Sequence, residues 1–434
     1  MVFTYKPFYK RLSVILIVFV GITHIRAQNP GYRDTTTLSL PAMEKMFVDS
    51  NLLLLAAHYN VDAESALIEQ AKLWDNPVLN SDFAVAADGH LLPYGKNVDG
   101  VSSGQYFIQV QQLIKTAGKR GKLINISTTN AKISELQLQD VLRNLRNQLH
   151  IDYFNLVQQL AIRNIYVSQS VQLNTLLTGM QAQLNAGNIA RKDYLRIQAL
   201  VIALQQDITE LDRNVADIQA DLKTLLRAGD NVFIKPADTA NAIRLNINSN
   251  VSAYIDSALH NNPNYLLQQT QTVYQQQNLI YQKALRSPDI TLGPNFDRNS
   301  NFAPNYVGLG ISLPLPIINK NQGNIKSAEF NIKQQQAVTQ NAETQLRSSV
   351  INAYNKLMLT LKQNNAVQTE FYTNYQEIYN NVLQSYRQKQ ISLLDFLDFF
   401  DTYKDSQLRL LQQQLNLQLS KEELNYQVGL NIIP

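Results

Sequence analysis

The 434-residue chain contains no cysteine, which excludes disulfides, thiolate metal sites, a cysteine nucleophile and an N-terminal lipid on cysteine. Glycine and proline are also scarce, at 16 and 13 residues, roughly half their average usage. Turns are therefore few, and the elements between them long. Charged residues make up only 17% of the chain, against about 25% in ordinary globular proteins. A hydrophobic share of 45% excludes a disordered chain, and the remaining polarity is mostly Gln, Asn and Ser. Such wet, uncharged surfaces suit an aqueous lumen or the seams between helices. Length alone suggests about three ordinary domains, a division the composition argues against.

The formal charge of +4 makes no case for nucleic acid, because Lys6, Lys10, Arg11 and Arg26 lie in the first 27 residues, which hold no acid. The remainder carries 34 basic and 34 acidic residues, and a neutral chain without a basic block has no electrostatic reason to bind phosphates. Lys6, Lys10 and Arg11 precede the apolar run Leu12 to Ile22, and Ile25-Arg26-Ala27 is a tolerable cleavage site, so residues 1–27 read as an export signal peptide. The run is 11 residues long, short of the about 20 that a spanning helix needs. No other stretch could span as a helix, so any later membrane contact falls to strands.

Enzymatic chemistry has little support. His24, His58, His90, His150 and His260 are scattered without ligand spacing, and each reads as a surface or helix-packing residue. No Gly-rich phosphate loop follows a strand, no nucleophile elbow is present, and Met43, Met46, Met180 and Met358 are too sparse for a thioether relay. The sequence predicts no catalytic residue, no metal site and no cofactor.

What is there is a duplication. Asn51 and Pro77 match Asn262 and Pro288 at an offset of 211, and Gly121, Ile189, Asp193 and Leu195 match Gly323, Ile391, Asp395 and Leu397 at 202. One loop of the first copy is thus nine residues longer, and the segment Asp88 to Gly104 is the obvious place. Each copy reads helix, two strands, very long helix, tight turn, long helix. The first repeat spans 28–230, with strands at about 78–87 and 105–114 and a helical hairpin at about 119–226. A linker at 231–250 leads to the second repeat, 251–434, with strands at about 289–296 and 306–315 and a hairpin at about 324–426.

In the last strand Val307, Leu309, Ile311, Leu313 and Leu315 share one face, with Gly308, Gly310 and Ser312 on the other. Such a segment fits a sandwich or a transmembrane barrel. Leu138, Leu142, Leu145, Leu149, Tyr153, Leu156 and Leu160 follow spacings of three and four, and a helix of about 60 residues would be on the order of 90 Å long. Helices of that length need neighbours in an elongated bundle, shared between subunits. Four strands cannot enclose a barrel, whereas three chains supply twelve, an even number within the outer-membrane range.

Two turns stand out. Ser392 with Asp395 forms a capping-box pattern, and Ile391 with Phe396 has hydrophobic-staple spacing, which makes Lys389 to Ile391 a hairpin tip. Its first-copy equivalent is Gly187 to Ala190, with Ile189 and Tyr194 as the staple.

With this ordered duplication, the segments NLLLLAAHYNVDAESALIEQAKLWDNP, PDITLGPNF, LGISLPLPIINKNQGNIKSA and ISLLDFLDFFDTY make nearly all of the chain after residue 27 resemble the TolC-like outer-membrane efflux proteins. The resemblance implies a mainly α fold with a membrane β-barrel, a homotrimer whose 12-stranded barrel continues as a periplasmic α-helical tunnel. It implies a passive exit duct in the outer membrane of a Gram-negative cell, docking onto a periplasmic adaptor and an inner-membrane pump. The last strand and the following Asn-Lys-Asn-Gln-Gly are similar to the branch that serves metal-cation pumps. Many relatives there begin at a lipidated cysteine, so contact with outer-membrane lipid would here come from the barrel alone. The resemblance further implies that Gly187, Asn188, Ile189, Gln390, Ile391 and Ser392 dock the adaptor, and that Asp395 and Asp398 line a gate. Asp395 equally suits a plain helix cap and Asp398 a solvated face. Arg191, Arg387 and Lys389 fit either gate-closing salt bridges or solvated charge. The rivals are a periplasmic coiled-coil adaptor or structural protein without its own pore, against which two full copies with strand pairs count, and a secreted enzyme.

Overall fold

The computed structural model describes residues 34–87, 90–91, 106–238, 247, 250–300, 303–365 and 369–433. The expected signal peptide, and the expected long loop apart from His90–Leu91, lie outside them. The chain begins with β1 (Asp34–Leu38), α1 (Leu40–Ser50), α2 (Leu52–Lys72), β2 (Val78–Phe83), and the short β3 (Ala86–Ala87) and β4 (His90–Leu91). There follow β5 (Tyr106–Ile114), the 67-residue α3 (Lys119–Asn185), α4 (Arg191–Leu226) and β6 (Val232–Pro236). The second half has α5 (Val251–Asn261), α6 (Pro263–Ala284), β7 (Ile290–Asn299), β8 (Pro304–Ser312), α7 (Gln322–Asn365), α8 (Thr369–Arg387) and α9 (Leu393–Val428).

Three boundaries differ from the sequence reading. The expected linker at 231–250 contains β6, which pairs in parallel with β1. The first strand stops at Phe83, and Ala86–Ala87 turns back onto His90–Leu91 instead. The last strand ends at Ser312, because Pro314 and Pro316 have no N–H to donate to a ladder.

The helices pack laterally in the order α2, α3, α6, α7, with α4 against α3 and α9 against α7 and α8. Residues separated by the two offsets hold matching places in two cores. In the first, Met43, Phe47 and Leu54 are buried with Val215, Leu222 and Leu226. In the second, Tyr254, Ala258 and Tyr265 are buried with Leu417, Leu424 and Val428.

The same offsets relate two buried asparagine hooks. Asn51 Oδ1 accepts from the N–H groups of Leu53 and Leu54 at the start of α2, while its Nδ2 donates to Leu225 O at 2.9 Å. Asn262 Oδ1 accepts from Tyr265 N–H, and its Nδ2 donates to Gln427 O, again at 2.9 Å. Each hook caps one helix and ties down the end of another. The helix ends they grip turn through left-handed residues, Arg227 (φ 51°) and Gly429 (φ 83°). At Gly429 a side chain has no room, since a Cβ there would sit 2.7 Å from Asn261 O.

β2, β5, β7 and β8 form one antiparallel sheet in that order. By the register and alternation, Leu79, Ile108, Val110, Leu292, Phe296, Val307, Leu309 and Ile311 share one face, and Asn80, Gln109, Gln111, Asn295, Gly308 and Gly310 the other. The apolar face is uncovered: Val307, Leu309 and Ile311 are 75%, 65% and 68% exposed. At one end Phe83, Tyr106 and Phe296 pack ring on ring. At the other, Lys119 Nζ bridges to Asp289 Oδ1 (2.6 Å) and Ser287 O (2.7 Å), fixing the start of α3 to the start of β7. Among the described residues no helix is long and apolar enough to cross a membrane.

Candidate functional site

The two hairpin tips are built alike. Helix α3 ends in a Schellman motif: Gly187 N–H donates to Leu184 O (3.0 Å) and Asn188 N–H to Gln183 O (2.9 Å), with Gly187 at φ 73°. After α8, Lys389 N–H donates to Tyr386 O and Gln390 N–H to Ser385 O, both at 2.9 Å, with Lys389 at φ 60°. The chain then re-enters a helix two or three residues later. Ile189, Tyr194, Ile391 and Leu393 fold inward onto the tip core, which leaves Gly187, Asn188, Lys389, Gln390 and Ser392 exposed at the ends.

The capping box read from the sequence is formed. Ser392 Oγ accepts from Asp395 N–H at 3.2 Å, and the Asp395 carboxylate accepts from Ser392 N–H at 3.2 Å and Ser392 Oγ–H at 2.7 Å. Asp395 is therefore a helix cap whatever else it does. Asp398 lies one turn on, also exposed. Its charge adds to burial in pushing Tyr375 up from the ordinary phenol range. Arg191, Lys192, Arg387 and Lys389 are exposed and, among the described residues, form no ion pair with a carboxylate.

Behind the second tip lies a stack of rings. Tyr386 lies on Phe396 (5.0 Å, 16°) and Tyr379 on Tyr403 (4.3 Å, 11°), with Phe400 between them. Tyr379 Oη donates to Gln172 Oε1 at 2.9 Å, joining α8 to α3. The signal was visible in the spacings of Tyr375, Tyr379 and Tyr386 and of Phe396, Phe400 and Tyr403, which keep one helical face aromatic. At the first tip the places 202 residues earlier hold Leu173, Leu177, Leu184, Tyr194, Gln198 and Val201, of which only Tyr194 is aromatic.

A second polar centre escaped the sequence reading. His150 of α3, 7% exposed, holds Glu422 of α9 through Nδ1 (2.7 Å) and Glu44 of α1 through Nε2 (2.7 Å). Burial opposes charge on the ring, but the two carboxylate hydrogen bonds outweigh it and push the imidazole up to about 9. The bond to His150 holds Glu44 below the usual carboxylate range; for Glu422 burial pushes the other way, and the bond to His150 together with the charges of His150 and Lys421 outweighs it and holds the carboxyl low. Arg146 (3.5 Å from Glu44) and Lys421 (3.1 Å from Glu422) complete the knot. Both ring nitrogens are engaged, so this is an ion-pair joint between the halves of the chain.

The sequence profile of the outer membrane efflux protein family matches residues 46–227 and 254–429, one segment in each half. The chain belongs to that family. It is an outer-membrane efflux channel, and its work is passage of cargo, not catalysis. This efflux protein is 21% identical over 378 residues to the cobalt-zinc-cadmium resistance protein CzcC of Cupriavidus metallidurans, covering 86% of each chain. Its fold matches the crystal structure of CusC with a TM-score of 0.72 at 16% identity, over 94% of this chain and 96% of CusC. The Campylobacter jejuni CmeC outer membrane channel matches with a TM-score of 0.69 at 16% identity, over 90% of this chain and 85% of CmeC.

Proposed function

We propose that three copies of this efflux protein join their sheets into a 12-stranded barrel, from which the helical hairpins continue as a periplasmic tunnel. The observation that carries this reading is the four-stranded sheet, apolar and uncovered on one face, polar and glycine-rich on the other, with β2 and β8 as open edges. A lipid-facing sheet cannot keep unpaired edges, because each bare N–H and C=O in hydrocarbon costs several kcal/mol. Joining β8 of one copy to β2 of the next removes every edge.

In this arrangement Gly187, Asn188, Ile189, Gln390, Ile391 and Ser392 form the far end of the tunnel. They dock a periplasmic adaptor, which links the duct to an energised inner-membrane pump. Asp395 and Asp398 place six carboxylates near the constriction, a ring that admits hydrated cations and repels anions. A divalent metal cation is the cargo class we favour, on the similarity to CzcC and the carboxylate ring together. Light scattering of the purified protein in mild detergent, corrected for the micelle, tests the assembly. The expected result is a trimer; a folded monomer would leave the sheet unclosed and overturn the reading.

A further inference from the structure

The register puts the N-terminal ends of β2 and β7 and the C-terminal ends of β5 and β8 together at one end of the four-stranded sheet. It is the end where α2, α3, α6 and α7 join the strands. In the stretches that flank these four strand ends, 71–77, 115–122, 283–289 and 313–320, the sequence has eight Lys or Arg against two acids, Asp75 and Asp289. Both acids are already engaged, Asp75 by Lys115 at 3.1 Å and Asp289 by Lys119 at 2.6 Å. Lys72, Arg120, Lys122, Lys283, Arg286 and Lys320 have no carboxylate partner among the described residues. Further along the helices, α6 holds no acid, and Glu135 on α3 is paired with Lys132. With Glu69, one turn further up α2, counted in, an excess of five positive charges per chain remains.

The same end is apolar where it is not charged. Leu73, Trp74, Leu313, Leu315, Ile317 and Ile318 are exposed, Ile318 to 88%. Trp74 is the single tryptophan of the chain, and the Arg120 guanidinium lies over its ring, 4.8 Å from the centre. Arg120 Nε donates to Lys72 O at 2.9 Å, which gathers two cations around that ring. Under β8, Asn321 Nδ2 donates to Gln282 O at 2.8 Å, tying the residue after Lys320 to the one before Lys283. Apolar side chains continuous with the bare face of the sheet, a tryptophan at its border and unpaired cations beyond form the sequence of layers that suits a membrane interface. Stems and rings lie against acyl chains, and the cations reach phosphates.

Resting on the reading of the sheet as the lipid-facing barrel wall, we propose that this end is a headgroup site for an anionic phospholipid of the periplasmic leaflet. When β8 of one copy joins β2 of the next, the Lys320 group of the first lies beside the Trp74 group of the second, and the site is completed across the seam. The full-length protein is placed in phosphatidylcholine vesicles that hold a minor share of brominated phosphatidylglycerol, or the same share of brominated phosphatidylcholine, and bromine quenching of Trp74 is read. At low salt phosphatidylglycerol is expected to quench about threefold more strongly, with the advantage fading towards about 1 M salt. Lys72→Gln, Lys283→Gln, Arg286→Gln and Lys320→Gln together should bring the two lipids level without lowering the melting temperature. Equal quenching in the wild type, or an unchanged preference in the fourfold variant or at high salt, would overturn the proposal. So would the absence of quenching by either lipid, the result if a second copy covers Trp74. Trp74→Phe combined with Ile311→Trp separates the site from the reading beneath it. If tryptophan at position 311 is quenched by both lipids while Trp74 shows no preference, only the headgroup site falls. If neither lipid quenches it, the sheet does not face lipid and the barrel reading falls as well.

Discussion

His150→Gln removes the cation from the knot between Glu44 and Glu422 and keeps a hydrogen-bonding side chain of similar size. The imidazole moves from 6.5 to about 9 on folding, and at about 1.4 kcal/mol per pKa unit this corresponds to roughly 3 kcal/mol. Because the folded value is raised, the contribution is complete below pH 6.5 and fades as pH climbs towards 9. The two lowered carboxylates act oppositely: their share is present above their ordinary value of 4.5 and is lost as pH falls below it. The knot is therefore strongest between about pH 4.5 and 6.5. Unfolding entropy of about 2 cal/mol/K per residue gives close to 0.9 kcal/mol/K for a chain of this size, so about 3 kcal/mol corresponds to some 3–4 °C. Thermal melting in detergent from pH 5 to 10 should show the variant about 3–4 °C below wild type at pH 6, with the gap closing by pH 10. A gap that does not depend on pH would refute the ion-pair account and leave only lost packing. Replacing His150, Glu44 and Glu422 together by leucine should restore part of the stability, as it leaves no buried carboxylate without its cation, while Arg146 and Lys421 lose their partners in the knot.

Asn262→Ala removes a helix cap and leaves Gln427 O without its donor, which should cost about 2–3 kcal/mol and lower the denaturation midpoint. Asn51→Ala should behave alike through Leu225 O, and no change in either would mean water replaces the hooks. Ile311→Lys sets a charge on the apolar face at a penalty of about 2–4 kcal/mol per chain if it lies at mid-bilayer, so membrane-assembled protein should fall sharply; normal yield would place Ile311 away from lipid. Asp395→Asn with Asp398→Asn should reduce cation preference in planar-bilayer conductance, and unchanged selectivity would remove both from the gate. Gly187→Pro forces φ near −65° where the turn needs 73° and deletes the N–H bonded to Leu184, so docking should be impaired more than secretion, as adaptor binding and membrane yield would show.

What the sequence made legible was governed by local chemistry. Heptad-like leucines along α3, the alternation of Val307, Leu309 and Ile311, and the Ser392–Asp395 box each depend on neighbours a few residues apart. What stayed hidden depends on contacts across the chain. β1 reads Asp-Thr-Thr-Thr-Leu, with no alternation to announce a strand, and its parallel partner lies in what looked like a linker. His150 looked isolated because Glu44 and Glu422 are 106 and 272 residues away. The strain at Lys389 was equally invisible, since no rule of composition distinguishes a lysine that ends a helix from one that crosses into φ > 0.

The uncovered sheet also bears on the life of the chain before it functions. A newly exported copy would enter the aqueous periplasm with Val307, Leu309 and Ile311 bare and both outer strands unpaired, the features that drive sticky, off-pathway pairing. In the trimeric arrangement proposed above, closure needs three such copies to meet, so its rate would fall steeply as the supply of chains drops, while misassociation needs only two. Biogenesis is thus a race between orders of encounter. Holdase chaperones, or early contact with the membrane surface, would decide it by masking the greasy face until the third copy arrives.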